Sequence, residues 1–277
     1  MFGFFANFWY YTNVFYISPP VSFADSPLVR GGLLKKPTFL AMLNFCWGRG
    51  IIWWMNPFWV MIGGETVVYY LDGLHNISAA EMERAMELVP QSRREYAARY
   101  RFERDRVQSI FAFLLLRYAV RLEYGVETPL EFDRSGGKPT LLGLEELHFN
   151  LSHCDTAVAC ALSAAPVGVD VQHEKDFHLS VAKRVCCPEE LAFLQSAEAP
   201  DREFAKLWTR KESYGKYTGQ GIVYPMEQIC LLDRTPDGTV METFTFDGYA
   251  LSYCAEESLE ICKVSVETLI KEPPHLM

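Results

Sequence analysis

Two short stretches constrain this chain more than any other feature: Val-Gly-Val-Asp-Val-Gln at 167–172 and Leu-Trp-Thr-Arg-Lys-Glu-Ser-Tyr-Gly-Lys at 207–216. The first alternates with period two. As a strand it sets Gly168, Asp170 and Gln172 on one face and Val167, Val169 and Val171 on the other. The second has helical spacing. Phe204, Leu207, Trp208 and the stem of Lys211 form an apolar stripe, with Glu212 and Lys216 one turn apart on its rim. Two carboxylates on two rigid elements, with a lysine beside the second, can hold a magnesium ion against a phosphate. The plainer reading stays open at this point: a solvated Asp on a strand and a surface Glu–Lys salt bridge on a helix.

The length of 277 residues suits one large domain or two of ordinary size. With 49% hydrophobic and 22% charged residues, a packed core is expected and disorder is not. A net charge of −9 argues against a nucleic-acid binder, which is normally basic. The 8 cysteines include no C-x-x-C pair. Cys186 and Cys187 are adjacent, and others lie in apolar runs such as Ala159-Cys-Ala-Leu162. Buried free thiols in a reducing, cytoplasmic compartment fit this pattern better than a disulfide framework or a zinc site.

Residues 1–63 differ from the rest. Trp9, Trp47, Trp53, Trp54 and Trp59 lie here, with Asp25 as the one acidic residue, and the remainder carries 22 Lys+Arg against 34 Asp+Glu. The apolar start, Met1 to Ile17, lacks a basic n-region and is short for a membrane span; Asn44, Arg49, Asn56 and Pro57 break the later apolar run. A membrane-associating leader, an extra packing segment and translated sequence upstream of the true start compete. The last is favoured, because Met61 stands just before a clean strand at 65–71. Residues 1–63 are therefore expected to lie outside the functional fold, with no membrane requirement.

Ser78 with Glu81 three residues on predicts a capped helix running to about Leu88, and a longer helical run is expected over 92–124, dense in arginine at first. Clustered arginine in an acidic chain suggests a nearby anionic ligand, although a solvated face is the common case. The Phe132–Pro139 turn, with Gly-Gly-Lys, precedes strands at 147–153 and 157–163. Beyond the Asp170 strand, a helix over 180–196 should pause at Pro188, and the Trp208 helix should end near Gly219. The remainder reads as antiparallel sheet: 228–232, 240–246, 249–254 and 259–266, with hairpin turns at Asp237-Gly238 and Asp247-Gly248. Residues 271–277 are expected to be loose. Strand, helices and hairpin thus occur in 64–166 and recur in 167–270, predicting an α+β protein of two similar halves with its chemistry where they meet.

Four pieces in this order, Gly137-Lys-Pro139, Phe149-Asn-Leu-Ser-His153, Val167-Gly-Val-Asp-Val171 and Trp208-Thr-Arg-Lys-Glu-Ser-Tyr-Gly-Lys216, resemble the Sfp-type 4′-phosphopantetheinyl transferases from about Thr66 to Val266. The resemblance implies a pseudo-twofold pair of similar subdomains, 64–166 and 167–277, with the active site in the cleft between them. It implies an enzyme that transfers the 4′-phosphopantetheine arm of coenzyme A to a serine hydroxyl of an apo acyl or peptidyl carrier protein, releasing 3′,5′-ADP. Coenzyme A is then the co-substrate and Mg2+ the cofactor. Asp170 and Glu212 match the metal ligands, Glu212 also the group that takes the serine proton, and Lys216 the lysine that contacts the phosphates. Gly137, Lys138, Ser152 and His153 match coenzyme A contacts, with His153 near the 3′-phosphate. Arg93 and Ser109 fall where the family has a basic residue and a hydroxyl for the nucleotide. Gln172 departs from the family, where many relatives carry a third acidic residue, so its place among the metal ligands is open. A coenzyme A or carrier-binding module impaired in catalysis is the alternative, and a pyrophosphate hydrolase a third reading. Both halves on one chain suggest a monomer. The arginines of 93–106 could serve either nucleotide or carrier.

Overall fold

A computed structural model describes residues 51–55, 58–62, 66–127, 129–133, 138–175, 177–221 and 225–271. The chain divides into two units, 1–62 and 63–277. In the first, β1 (Ile51–Met55) and β2 (Phe58–Ile62) pair antiparallel, Ile51 opposite Ile62. The rest of the 1–63 leader lies outside the described residues.

The second unit begins with β3 (Val67–Asp72) and α1 (Ala79–Glu87), whose Ser78–Glu81 capping box is the predicted one. Then follow α2 (Gln91–Ala97), α3 (Glu103–Tyr124), β4 (Phe132–Asp133), β5 (Thr140–Leu141), β6 (His148–His153) and β7 (Ala157–Ser163). The chemistry-bearing part is β8 (Gly168–His173), α4 (Leu179–Val185), α5 (Pro188–Ser196) and α6 (Pro200–Tyr217). It closes with β9 (Val240–Phe246), β10 (Tyr249–Ala255), β11 (Glu260–Lys263) and α7 (Val266–Ile270).

Period-two alternation decides the layering. On β3 and β7, Val67, Tyr69, Leu71, Val158, Cys160 and Leu162 face one way and pack with Ile110, Phe111, Leu114 and Leu115 of α3. Their neighbours Val68, Tyr70, Ala157, Ala159 and Ala161 face the other way and share a second core with Val169, Val171, Leu251 and Tyr253. The small alanines let a second sheet approach closely. One sheet has the order β11-β3-β7-β6 and the other β8-β10-β9, so α3, two sheets and α6 stack as four layers. The α+β class expected from the sequence is the one found.

Three local expectations fail. The helical run over 92–124 is broken at 98–102, where the side chain of Arg106 donates to the Tyr100 carbonyl and holds the turn. The break lets α2 fold back so that Arg93 reaches Ser109 on α3, a tertiary gain that local propensity does not announce. Residues 228–232 form no strand. After a short 3-10 turn at Met226–Gln228, the backbone groups there are taken by side chains: Lys211 on the Met226 and Ile229 carbonyls, Arg210 on the Leu231 carbonyl, and Glu190 on the Leu231 N–H. Consequently Asp237-Gly238 is a turn but not a hairpin, whereas Asp247-Gly248 does join β9 to β10. Finally, β11 is shorter than 259–266 and leaves the second sheet. It pairs in parallel with β3, Ile261 opposite Val68, and Ser265 then caps α7. Of the expected loose end, 272–277 lies outside the described residues.

Candidate active site

The site starts from a missing side chain. A Cβ on Gly168 would stand 2.0 Å from the Ser213 carbonyl oxygen and 2.5 Å from the Tyr217 amide nitrogen, so only glycine lets α6 lie directly on β8. On the far side of that contact, Thr209 and Ser252 share a hydrogen bond of 2.7 Å between α6 and β10. Pinned this way, α6 turns Glu212 and Lys216 toward Asp170.

Asp170 is buried, and its Oδ1 accepts from Lys216 Nζ at 2.7 Å and from the Ser152 hydroxyl at 2.8 Å. Ser152 in turn accepts the Val171 N–H at 3.2 Å, and Asn150 Oδ1 accepts the Val169 N–H at 2.9 Å, so β6 side chains occupy the free edge of β8. Lys216 also donates to the Val169 carbonyl at 3.0 Å. Against these contacts stand two orphans: Asp170 Oδ2 and Glu212 Oε1 are buried with no hydrogen-bond partner. Burial raises the pKa of Asp170 against the pull of Lys216. Burial first, and then the charge of Asp170, push Glu212 up to about 7. Unpartnered buried carboxylate oxygens are costly unless a proton or a cation completes them. Two hard anionic oxygens beside each other fit magnesium, so the donor set agrees with that ion. The plainer sequence reading of solvated surface groups is overturned by this burial.

The other expected site residues are placed as follows. His153 follows Ser152 at the end of β6, and burial, then the charge of Lys216, lower its pKa to about 4. It is a neutral imidazole at physiological pH. The Lys138 ammonium donates to the Val167 carbonyl at 3.0 Å and the Lys216 carbonyl at 3.3 Å, bridging β8 to the last turn of α6; burial lowers its pKa to about 8. Arg93 and Ser109 meet at 3.4 Å, with the guanidinium over the rings of Tyr96 and Phe113. Gln108, the residue before Ser109 on α3, donates to the Cys154 carbonyl at 3.1 Å, just past the end of β6. Gln172 continues the Asp170 face and is partly exposed. Gly137 lies outside the described residues.

Sequence reasoning missed Glu190 and the task of Lys211. Glu190 lies in the first turn of α5, where it closes a capping box with Cys187. It is also fully buried and paired at 3.0 Å with Lys211, whose ammonium lies on the other side of α6 from the Asp170 cluster. A lysine inside an apolar stripe was the available signal, because a buried ammonium requires a partner.

Comparison with known proteins decides the family. Residues 166–266 match the model of the 4′-phosphopantetheinyl transferase superfamily, and residues 76–165 match that of the 4′-phosphopantetheinyl transferase N-terminal region. A 4′-phosphopantetheinyl transferase of Bacillus subtilis is 32% identical over 196 residues, covering 65% of this chain and 87% of the relative. The chain belongs to the 4′-phosphopantetheinyl transferase family.

Other relatives agree. The transferase Sfp of Bacillus subtilis strain 168 is 27% identical over 70% of this chain and 95% of its own length. Psf-1 of Bacillus pumilus is 30% identical over 64% and 83%. The protein is thus an enzyme of the phosphopantetheinyl transferase type, and a module without turnover is not favoured. Among the described residues of this transferase, no helix is long and apolar enough to cross a membrane.

Proposed function

We propose that this transferase moves the 4′-phosphopantetheine arm of coenzyme A onto a serine of an apo acyl or peptidyl carrier protein, using Asp170 and Glu212 as ligands of Mg2+. The observation that carries the reading is the pair of buried oxygens without partners, Asp170 Oδ2 and Glu212 Oε1, beside the Lys216 ammonium. Magnesium bound there would offset the charge of the coenzyme A pyrophosphate. The remaining work belongs to the chain. Glu212, buried beside Asp170 with Oε1 left without a partner, accepts the proton of the serine hydroxyl. The serine oxygen forms its bond to the phosphorus bearing the pantetheine arm, and the bond from that phosphorus to 3′,5′-ADP breaks. Lys216 holds Asp170 in place and offers positive charge to the departing pyrophosphate oxygen. Ser152 orients Asp170 through their shared hydrogen bond.

Lys138, His153, Arg93, Ser109 and Gly137 are assigned to coenzyme A, with neutral His153 acting as a hydrogen-bonding group and buried Arg93 supplying the charge. The exposed set Arg101, Phe102 and Arg104, next to the 153–155 turn through the 3.7 Å Arg104–Asp155 contact, is assigned to the carrier. An Arg101→Glu variant should raise KM for the carrier and not for coenzyme A; the reverse pattern would return this patch to the nucleotide. The catalytic halves are taken as 64–166 and 167–277, related by a pseudo-twofold axis with the site in the cleft between them, acting as a cytoplasmic monomer without residues 1–63. The helix-on-sheet pairing of α3 and of α6 supports that symmetry.

Intact-mass analysis tests the reading: an apo carrier, coenzyme A and the protein, with and without magnesium. A metal-dependent gain of roughly 340 Da on the carrier serine is expected for one phosphopantetheine arm. No gain on several unrelated carriers, with coenzyme A still binding, would overturn it.

A further inference from the structure

A second cluster of thiol and carboxylate side chains lies away from the Asp170 site, at the start of α5. Cys187, Glu190 and Cys230 bring their sulfur and carboxylate atoms within 4.8 Å of one another. The two cysteines come from separate segments, Cys187 as the N-cap of α5 and Cys230 from the loop after the 226–228 turn. A divalent ion is a poor occupant here. Glu190 Oε1 already accepts the Leu231 N–H at 2.7 Å, and Oε2 accepts the Cys187 N–H at 2.9 Å and the Lys211 ammonium at 3.0 Å. An ion would have to displace these bonds and sit beside a buried ammonium. A bond between the two sulfurs requires neither.

We propose that Cys187 and Cys230 are a redox-active dithiol that closes to a disulfide on two-electron oxidation by a peroxide. Cys230 is the partly exposed member and the one a peroxide reaches first, while Cys187 is buried. The Cys230 thiol donates to the Glu189 carboxylate, 3.4 Å from its sulfur, and burial and Cys187 hold its pKa up at about 11, so the bridge forms slowly and takes excess peroxide. Hydrogen peroxide converts the Cys230 thiol to a sulfenic acid and releases one water. The Cys187 sulfur then attacks that sulfur, forming the S–S bond and releasing a second water, so that two thiols and one peroxide give one disulfide and two waters. The bridge would tie α5 to the loop whose backbone groups receive Arg210, Lys211 and Glu190. It would therefore stiffen the outer side of α6 without touching Asp170 or Glu212.

The test is peroxide titration of the full-length protein, followed by non-reducing peptide mapping and thermal unfolding. The expected result is a Cys187–Cys230 cross-linked peptide, two thiols lost per chain, and an unfolding midpoint several degrees higher that returns on reduction. Cys187→Ser should fold normally, since serine keeps the N-cap acceptor that Cys187 provides to the Glu190 N–H, and should lose both the cross-link and the shift. Cys230→Ser should do the same. Irreversible oxidation of Cys230 alone, a bridge through Cys186, or stoichiometric zinc that binds the reduced protein and blocks the bridge would each overturn the proposal.

Discussion

One helix, α6, supplies the lysine of two acid–lysine pairs, and they are built to opposite rules. Lys211 and Glu190 are closed. Three acceptors take the three protons of the ammonium, and three N–H donors occupy the carboxylate. Lys216 and Asp170 are open. One carboxylate oxygen is satisfied twice, the other not at all, and neighbouring Glu212 also keeps an orphan oxygen. Both carboxylates are buried, although Lys216 is 21% exposed where Lys211 is sealed, so burial of the acid alone does not separate architecture from chemistry. The count of unmet hydrogen bonds does: a closed pair holds the fold, and an open pair holds a place for a ligand.

Replacing each member should expose the difference. The largest effect is expected from Glu212→Ala and Asp170→Ala, which should each lower transfer by about 10²–10⁴-fold with an unchanged far-UV spectrum. Retained transfer in either would remove the open pair from the chemistry. Lys211→Met should instead cost about 3–5 kcal/mol in urea unfolding, because it strands a buried carboxylate. If it cost no more than a surface change, the closed pair would not be structural.

A subtler contrast has opposite signs on the two sides of the helix. In metal-free protein, Glu212→Gln should stabilise by about 1–3 kcal/mol at pH 8, since it removes a buried charge with an unmet oxygen, whereas Glu190→Gln should destabilise. The pH dependence follows the same logic. The pKa of Glu212 rises on folding from 4.5 to about 7, so the native state holds the proton more tightly than the unfolded chain. Its share of stability is present below the unfolded value and is lost as pH rises from about 4.5 through 7. Metal-free wild type should thus lose stability over that window, with Asp170 contributing in the same direction, and Glu212→Gln should flatten the slope. Identical slopes in the two proteins would count against the assignment. The smallest effect is expected from Gln172→Glu, which should lower the magnesium concentration for half-maximal transfer severalfold by adding ligand charge. An unchanged requirement would mean that this side chain points away from the ion.

The open site was largely legible before any coordinates, because its residues sit on elements whose period is visible: Asp170 alternates with valines, and Glu212 and Lys216 are one turn apart on an amphipathic helix. The apolar run at 157–163, the strand at 240–246 and the Pro188 break were legible from local composition. What escaped depends on partners distant in sequence. The loop at 229–232 has strand-like composition, yet its backbone is satisfied by Arg210, Lys211 and Glu190. The parallel pairing of β11 with β3 joins residues nearly two hundred positions apart, for which no local signal exists.

That last pairing also sets an order of events. Until Glu260–Lys263 arrives, β3 pairs on one side only, with β7, and its other edge of backbone donors and acceptors is bare. On the ribosome the first half of the transferase would therefore emerge with an unfinished sheet. It would carry an adhesive edge until residues 260–263 had been made. β11 is a latch fitted about two hundred residues after the strand it closes. A chain that stops short of residue 260 releases a protein whose β3 edge was never sealed.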